Sequence, residues 1–133
     1  MANVLLDTHA WAWSLKRDYR LSATATNAIN SADAVYVSPI SFYEIGQKVR
    51  LGKWPAMEPF VDQLLELLDE QRGWVAPLDP ETCLAAAKLD WTNRDPFDRI
   101  LGATAVGGRM PIISADPSFD DFPEAPDKLI RIW

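Results

Sequence analysis

The sequence predicts an α/β fold in which a five-stranded parallel sheet is covered by helices on both faces. Three observations carry this. Short apolar runs of four or five residues alternate with stretches of helical periodicity. Proline, glycine and capping residues stand at the boundaries between them. The 133 residues, 48% hydrophobic and 24% charged, suit one globular domain spanning residues 1–133.

Asn3 to Leu6 reads as the first strand, and Thr8 to Leu15 as a helix rich in Ala and Trp. Ser22 is an N-cap for a helix from Ala23 to Ser31. Val35 to Val37 is a β-branched second strand. Pro39 to Leu51 is helical, with Phe42, Ile45 and Val49 at helical spacing and Gly52 as the stop. Glu58 to Arg72 carries the strongest helical pattern: Phe60, Leu64 and Leu68 recur every fourth residue, widened by Val61, Leu65 and Leu67. Trp74 to Leu78 is a third strand and Pro80 to Leu89 a further helix. Asp95 begins a helix to about Gly107, Pro111 to Ser114 is a fourth strand, and Leu129 to Trp133 a fifth. Strands separated by helices form βαβ units, and in such sheets chemistry gathers at the carboxyl ends of the strands.

The formal net charge of −6 argues against a basic protein that coats duplex DNA, but leaves room for an enzyme whose metals neutralise its acids. Cys83 is the single cysteine, so no intramolecular disulfide forms and a reducing compartment is expected. No run approaches the ~20 apolar residues of a bilayer span, and Met1 to Leu6 lacks a basic leader. The expectation is a soluble, cytoplasmic protein without a membrane role.

Acids stand where the strand-end rule directs attention. Asp7 follows the first strand, Asp116 follows the fourth, Asp98 lies in the first turn of the preceding helix, and Glu44 reaches in from mid-helix. Each has a structural reading too. Asp7, Asp95 and Asp116 can cap helices, Asp98 can be a first-turn acid, and Glu44 can pair with Lys48 one turn on. Glu44 shares a helix face with Ile40 and Leu51, which suggests partial burial. Carboxylates gathered at one edge repel and raise one another's pKa unless a cation lies between them. Oxygen-only ligands favour Mg²⁺ or Mn²⁺, and such a site suits phosphodiester hydrolysis without a nucleophilic side chain.

Four ordered motifs carry a family resemblance: Leu5-Leu6-Asp7-Thr8-His9-Ala10, Ser41-Phe42-Tyr43-Glu44-Ile45, Arg94-Asp95-Pro96-Phe97-Asp98-Arg99, and Ser114-Ala115-Asp116. In this order they resemble PIN-domain proteins, and among these the VapC-type toxin ribonucleases of bacterial toxin–antitoxin pairs. The likeness runs from Asn3 to Trp133. It implies a PIN-like three-layer fold and a metal-dependent endoribonuclease holding one or two Mg²⁺ or Mn²⁺ ions on Asp7, Glu44, Asp98 and Asp116. Thr8 and Ser114 match supporting hydroxyl positions. The resemblance further implies a homodimer and a small antitoxin partner that occludes the site.

Two positions depart from the family pattern: Asn93 stands where His is expected, and Thr104 where Gln is common. Asp95 reads as a cap or as a supporting residue of the pocket. Lys48, Arg50, Lys53, Arg94 and Arg99 read as a solvated basic group or as a grip on RNA phosphates, with Arg99 alternatively paired to a neighbouring acid. His9 reads as a packing histidine on the first helix. Trp11, Trp13 and Trp54 read as core, with some left for a partner surface. Single-stranded or loop RNA is the expected target, because A-form helices hide their base edges. The alternatives are a degenerate PIN-like binding module and another Mg²⁺-dependent phosphohydrolase. A dehalogenase-like phosphatase wants a second acid two residues after Asp7, where His9 stands. A receiver-like module wants a Lys after a late strand, where Asp116 stands.

Overall fold

The computed structural model describes residues 2–133. Met1, with which the N-terminal reading begins, lies outside them. Five strands form one sheet: β1 (Asn3–Leu6), β2 (Ala34–Val37), β3 (Trp74–Val75), β4 (Ile112–Ile113) and β5 (Arg131–Ile132). Their order is β3-β2-β1-β4-β5 and every pairing is parallel. The helices are α1 (Thr8–Lys16), α2 (Ala23–Ser31), α3 (Pro39–Arg50), α4 (Leu64–Glu70), α5 (Pro80–Lys88) and α6 (Pro96–Gly107).

The pleat of β1 splits the core in two. Val4 and Leu6 pack on one face with Trp11, Ile45, Leu68 and Ile113. Leu5 packs on the other with Leu101, Ala105, Ile112, Phe119 and Leu129. Alternate residues of one strand therefore serve two apolar layers, as a parallel sheet sandwiched between helices requires. α6 approaches the second layer so closely that a Cβ on Gly102 would stand 2.2 Å from Phe122.

The register aligns the strand ends. Leu6 pairs with Val37 and with Ile113. The residues that follow these strands, Asp7, Ser38 and Ser114, thus share one edge. The chain runs outward from β1 through β2 to β3, then returns to the other side of β1 as β4 and β5. The reversal opens a crevice between the ends of β1 and β4, where open α/β sheets place their ligand sites.

The expected helix from Glu58 to Arg72 is not continuous. Pro55–Met57 and Val61–Gln63 are 3₁₀ turns, and only Leu64–Glu70 is α-helical. The break lies at Gln63, whose φ of −121° and ψ of 12° leave the helical region, while Glu58, before Pro59, is helical. Leu64 and Leu68 are buried as the periodicity requires, whereas Leu65 is exposed. The third, fourth and fifth strands are shorter than their apolar runs; Pro77 and Pro111, at the third and fourth, lack the N–H that a ladder needs. A 3₁₀ turn at Pro117–Asp121 has no counterpart in the hydrophobic pattern. Among the described residues, no helix is long and apolar enough to cross a membrane.

Candidate active site

Asp7 enters the crevice directly from β1. Its backbone N–H donates to the Ile113 carbonyl at 3.1 Å, which ties it to β4. Its Oδ1 accepts from the Ala10 N–H at 2.8 Å, so the capping role coexists with its place at the sheet edge. Only 7% of Asp7 is exposed. Burial pushes its carboxyl up to about 6, and the charges of Asp98 and Glu44 add to the rise, while Ser114 and the Ala10 N–H oppose it.

Asp98 stands opposite, in the first turn of α6, and is half-buried. It too is pushed up to about 6, first by burial and then by the charges of Asp95, Asp116 and Glu44. Asn93 opposes the rise by donating from Nδ2 to Asp98 Oδ2 at 3.0 Å. Glu44 lies mid-helix in α3 and is 5% exposed. Lys48 Nζ meets its Oε2 at 2.6 Å, so the pairing and the inward-facing readings of Glu44 hold together. Leu51, which was expected to share that buried face, is exposed. Asp116 follows β4, is exposed, and accepts from the Ser118 N–H at 2.9 Å. The four acids thus approach from β1, α3, α6 and the segment after β4, near enough for their charges to act on one another.

The smaller residues frame them. Thr8 and Ser41, both buried, share a hydroxyl hydrogen bond of 2.9 Å that ties the start of α1 to α3. The buried Ser114 hydroxyl accepts from the Asp116 N–H at 3.0 Å. Asp95 caps α6 through the Phe97 N–H at 2.9 Å.

Asn93 does more than replace an expected side chain. Its Nδ2 reaches both Asp98 and, at 3.3 Å, Ser118 Oγ, while its Oδ1 accepts from the Asp95 N–H at 2.9 Å. It therefore bridges α6 to the turn that carries Asp116. Thr104, the other departure, donates to the Ile100 carbonyl within α6 and takes no part in the acid group.

The basic residues separate. Arg50, Lys53 and Arg94 are exposed and form no ion pair among the described residues. Lys48 is engaged by Glu44. Arg99 is turned away from phosphate and acid alike. Its guanidinium donates to the backbone carbonyls of Ala86, Ala87, Leu89, Trp91 and Asn93. It closes the end of α5 and holds the loop that carries Asn93. Sequence reasoning missed this clamp because its partners are carbonyls, which leave no signature in side-chain identity.

The donor set suits a hard divalent cation. Four carboxylates supply oxygen ligands only, and two of them resist ionisation without a compensating charge. Among the described residues, no three acid, His or Cys side chains stand close enough together to hold a metal ion as a group.

Comparison with known proteins agrees with this geometry. The PIN domain family model matches residues 4–125. Ribonuclease VapC22 of Mycobacterium tuberculosis (strain ATCC 25618 / H37Rv) is 29% identical over 117 residues, 87% of this chain and 88% of that protein. The crystal structure of VapBC2 from Rickettsia felis, bound to a DNA fragment from their promoter, superposes with a TM-score of 0.63 at 12% identity. The match covers 97% of this chain and 96% of that one. FitAB bound to an IR36 DNA fragment superposes with a TM-score of 0.58 at 19% identity, covering 96% and 94%.

Proposed function

The chain belongs to the PIN-domain family, and on that premise we propose that it is a divalent-metal-dependent endoribonuclease acting as the toxin of a toxin–antitoxin pair. The observation that carries the proposal is the facing pair Asp7 and Asp98, both pushed up to about 6 at the crevice between β1 and β4. Buried carboxylates that repel one another are costly unless a cation joins them. Similarity to a protein named as a ribonuclease supports the reaction class.

Asp7, Glu44, Asp98 and Asp116 would hold one or two Mg²⁺ or Mn²⁺ ions. When bound, the metal supplies positive charge against the scissile phosphate and a more acidic water. This chain's residues do the rest. The Ala10 N–H fixes the Asp7 carboxyl, and Asn93 fixes that of Asp98. Thr8, through Ser41, and Ser114 hold the surrounding backbone, while Asp95 caps α6. Lys48 offsets the Glu44 charge. Arg50, Lys53 and Arg94 are free to meet RNA phosphates, with Lys48 beside them; Arg99 is left out, since its donors are engaged.

The expected substrate is single-stranded or loop RNA, and the expected setting a reducing cytoplasm. Likeness to VapBC2 and FitAB supports a protein partner, here an antitoxin. A homodimer is part of the same proposal. The test is cleavage of total RNA by purified, antitoxin-free protein with Mg²⁺ or Mn²⁺. Discrete fragments that vanish with EDTA and with Asp98→Asn are the expected result. Fragments that persist in either control would refute the metal-site assignment.

A further inference from the structure

The mouth of the acidic site carries a row of aromatic rings that the proposed chemistry does not use. His9 lies two residues beyond Asp7 on the first turn of α1, and it is exposed. Its ring stacks on Trp54 with centroids 4.7 Å apart and planes 29° apart. It also meets Trp13, one turn further along α1, at 5.7 Å with the planes tilted by 56°. Trp13 in turn meets Trp133, the residue after β5, at 5.7 Å. Two cations lie on this row. Lys48 Nζ is 5.6 Å from the Trp54 ring, and the Arg20 guanidinium carbon, whose nitrogens also pair with Asp18 at 2.7 and 3.1 Å, is 5.2 Å from the Trp13 ring. Lys48 also contacts Glu44 at 2.6 Å, which joins the row directly to the acid group.

We propose that the His9–Trp54 pair, continued by Trp13 and flanked by Lys48 and Arg20, is a base-stacking subsite that receives an unpaired nucleobase next to the scissile phosphate. The inference rests on the ribonuclease reading above and specifies how that site takes its substrate. A nucleotide brings a planar base and an anionic phosphate together. Ring faces with cations beside them complement both, whereas a purely apolar partner segment would gain nothing from Lys48 and Arg20. Three of the rings are half-buried and belong to α1, the turn after α3 and the chain end, so the platform is held by the fold before any ligand arrives. A stack of this kind accepts any base, since each presents a π-face, and it excludes bases already paired in a duplex.

The test uses the full-length chain carrying Asp98→Asn, so that binding is read without cleavage. Its ligands are a short single-stranded RNA and the same backbone with abasic positions, at low salt. The RNA should bind tighter than the abasic strand. Adding His9→Ala should weaken RNA binding roughly 5- to 160-fold, the range set by loss of one base–aromatic stack, and leave abasic binding unchanged. His9→Phe should retain tight RNA binding. Equal losses on both strands, no loss with His9→Ala, binding of neither strand, or failure of His9→Phe would each overturn the subsite. Ring-dependent binding by a protein that cleaves no RNA would instead refute only the nuclease reading. Cleavage unaffected by His9→Ala, with no loss of RNA binding, would refute only the subsite.

Discussion

Replacing Asp7 with Asn separates the proposed metal role of this residue from its capping role. Asn keeps an Oδ1 acceptor for the Ala10 N–H, so the start of α1 stays capped. What disappears is a buried charge. In the native chain without metal, Asp7 titrates at about 6 instead of 3.8. Each unit is worth ~1.4 kcal/mol, so the ionised carboxylate costs roughly 3 kcal/mol of stability above pH ~6, as an upper figure. Native Asp7 binds its proton more tightly than the unfolded chain does. Stability therefore falls as pH rises from about 4 to about 6, then levels off. Asn has no such limb. Asp7→Asn should match the parent at about pH 4 and melt higher at neutral pH, by roughly 10 °C for a domain of this size. The assay is thermal unfolding across pH in EDTA, repeated with Mg²⁺. Added metal should raise the parent's melting point and close the gap, and barely move the variant. The reasoning is refuted if Asp7→Asn melts at or below the parent at neutral pH in EDTA, or if the difference does not change with pH.

Other substitutions probe the frame. Asn93→Ala frees the Asp98 carboxyl and should weaken Mg²⁺ binding ~10-fold or more with little change in fold, read by metal titration calorimetry. Arg99→Ala strips five carbonyls of their donor, so denaturant titration should show a loss of at least ~2 kcal/mol. An unchanged midpoint would return Arg99 to the RNA-binding group. Arg50→Ala with Lys53→Ala should leave the melting temperature within about 2 °C of the parent. The slope of RNA affinity against salt should become shallower.

Much of this protein is legible one residue at a time. Ser22 and Asp95, read as caps from sequence, accept from nearby N–H groups, as do Asp7 and Asp116. Alternating strand and helix patterns imply the parallel sheet, and the strand-end rule alone leads to Asp7 and Asp116. The Phe60–Leu64–Leu68 periodicity, by contrast, predicts one helix where the chain forms several short elements. That periodicity describes which side chains face the core, and two short turns followed by a brief helix satisfy it as well as one long helix does.

Fold class, several caps and the candidate acids can be read from the chain's linear pattern, because these depend on local propensity and on spacing within single elements. What those acids experience, and what their neighbours do, follows from packing in three dimensions. Burial against β4 and the charges of Asp98 and Glu44 set the Asp7 proton affinity, and those groups lie far away along the chain. The same holds for Thr8 with Ser41, for Asn93 between Asp98 and Ser118, for Arg99 on its carbonyls, and for Trp13 against Trp133. Each is a contact across elements, where the strength of an interaction follows from distance and desolvation, and a linear pattern of residue types contains neither.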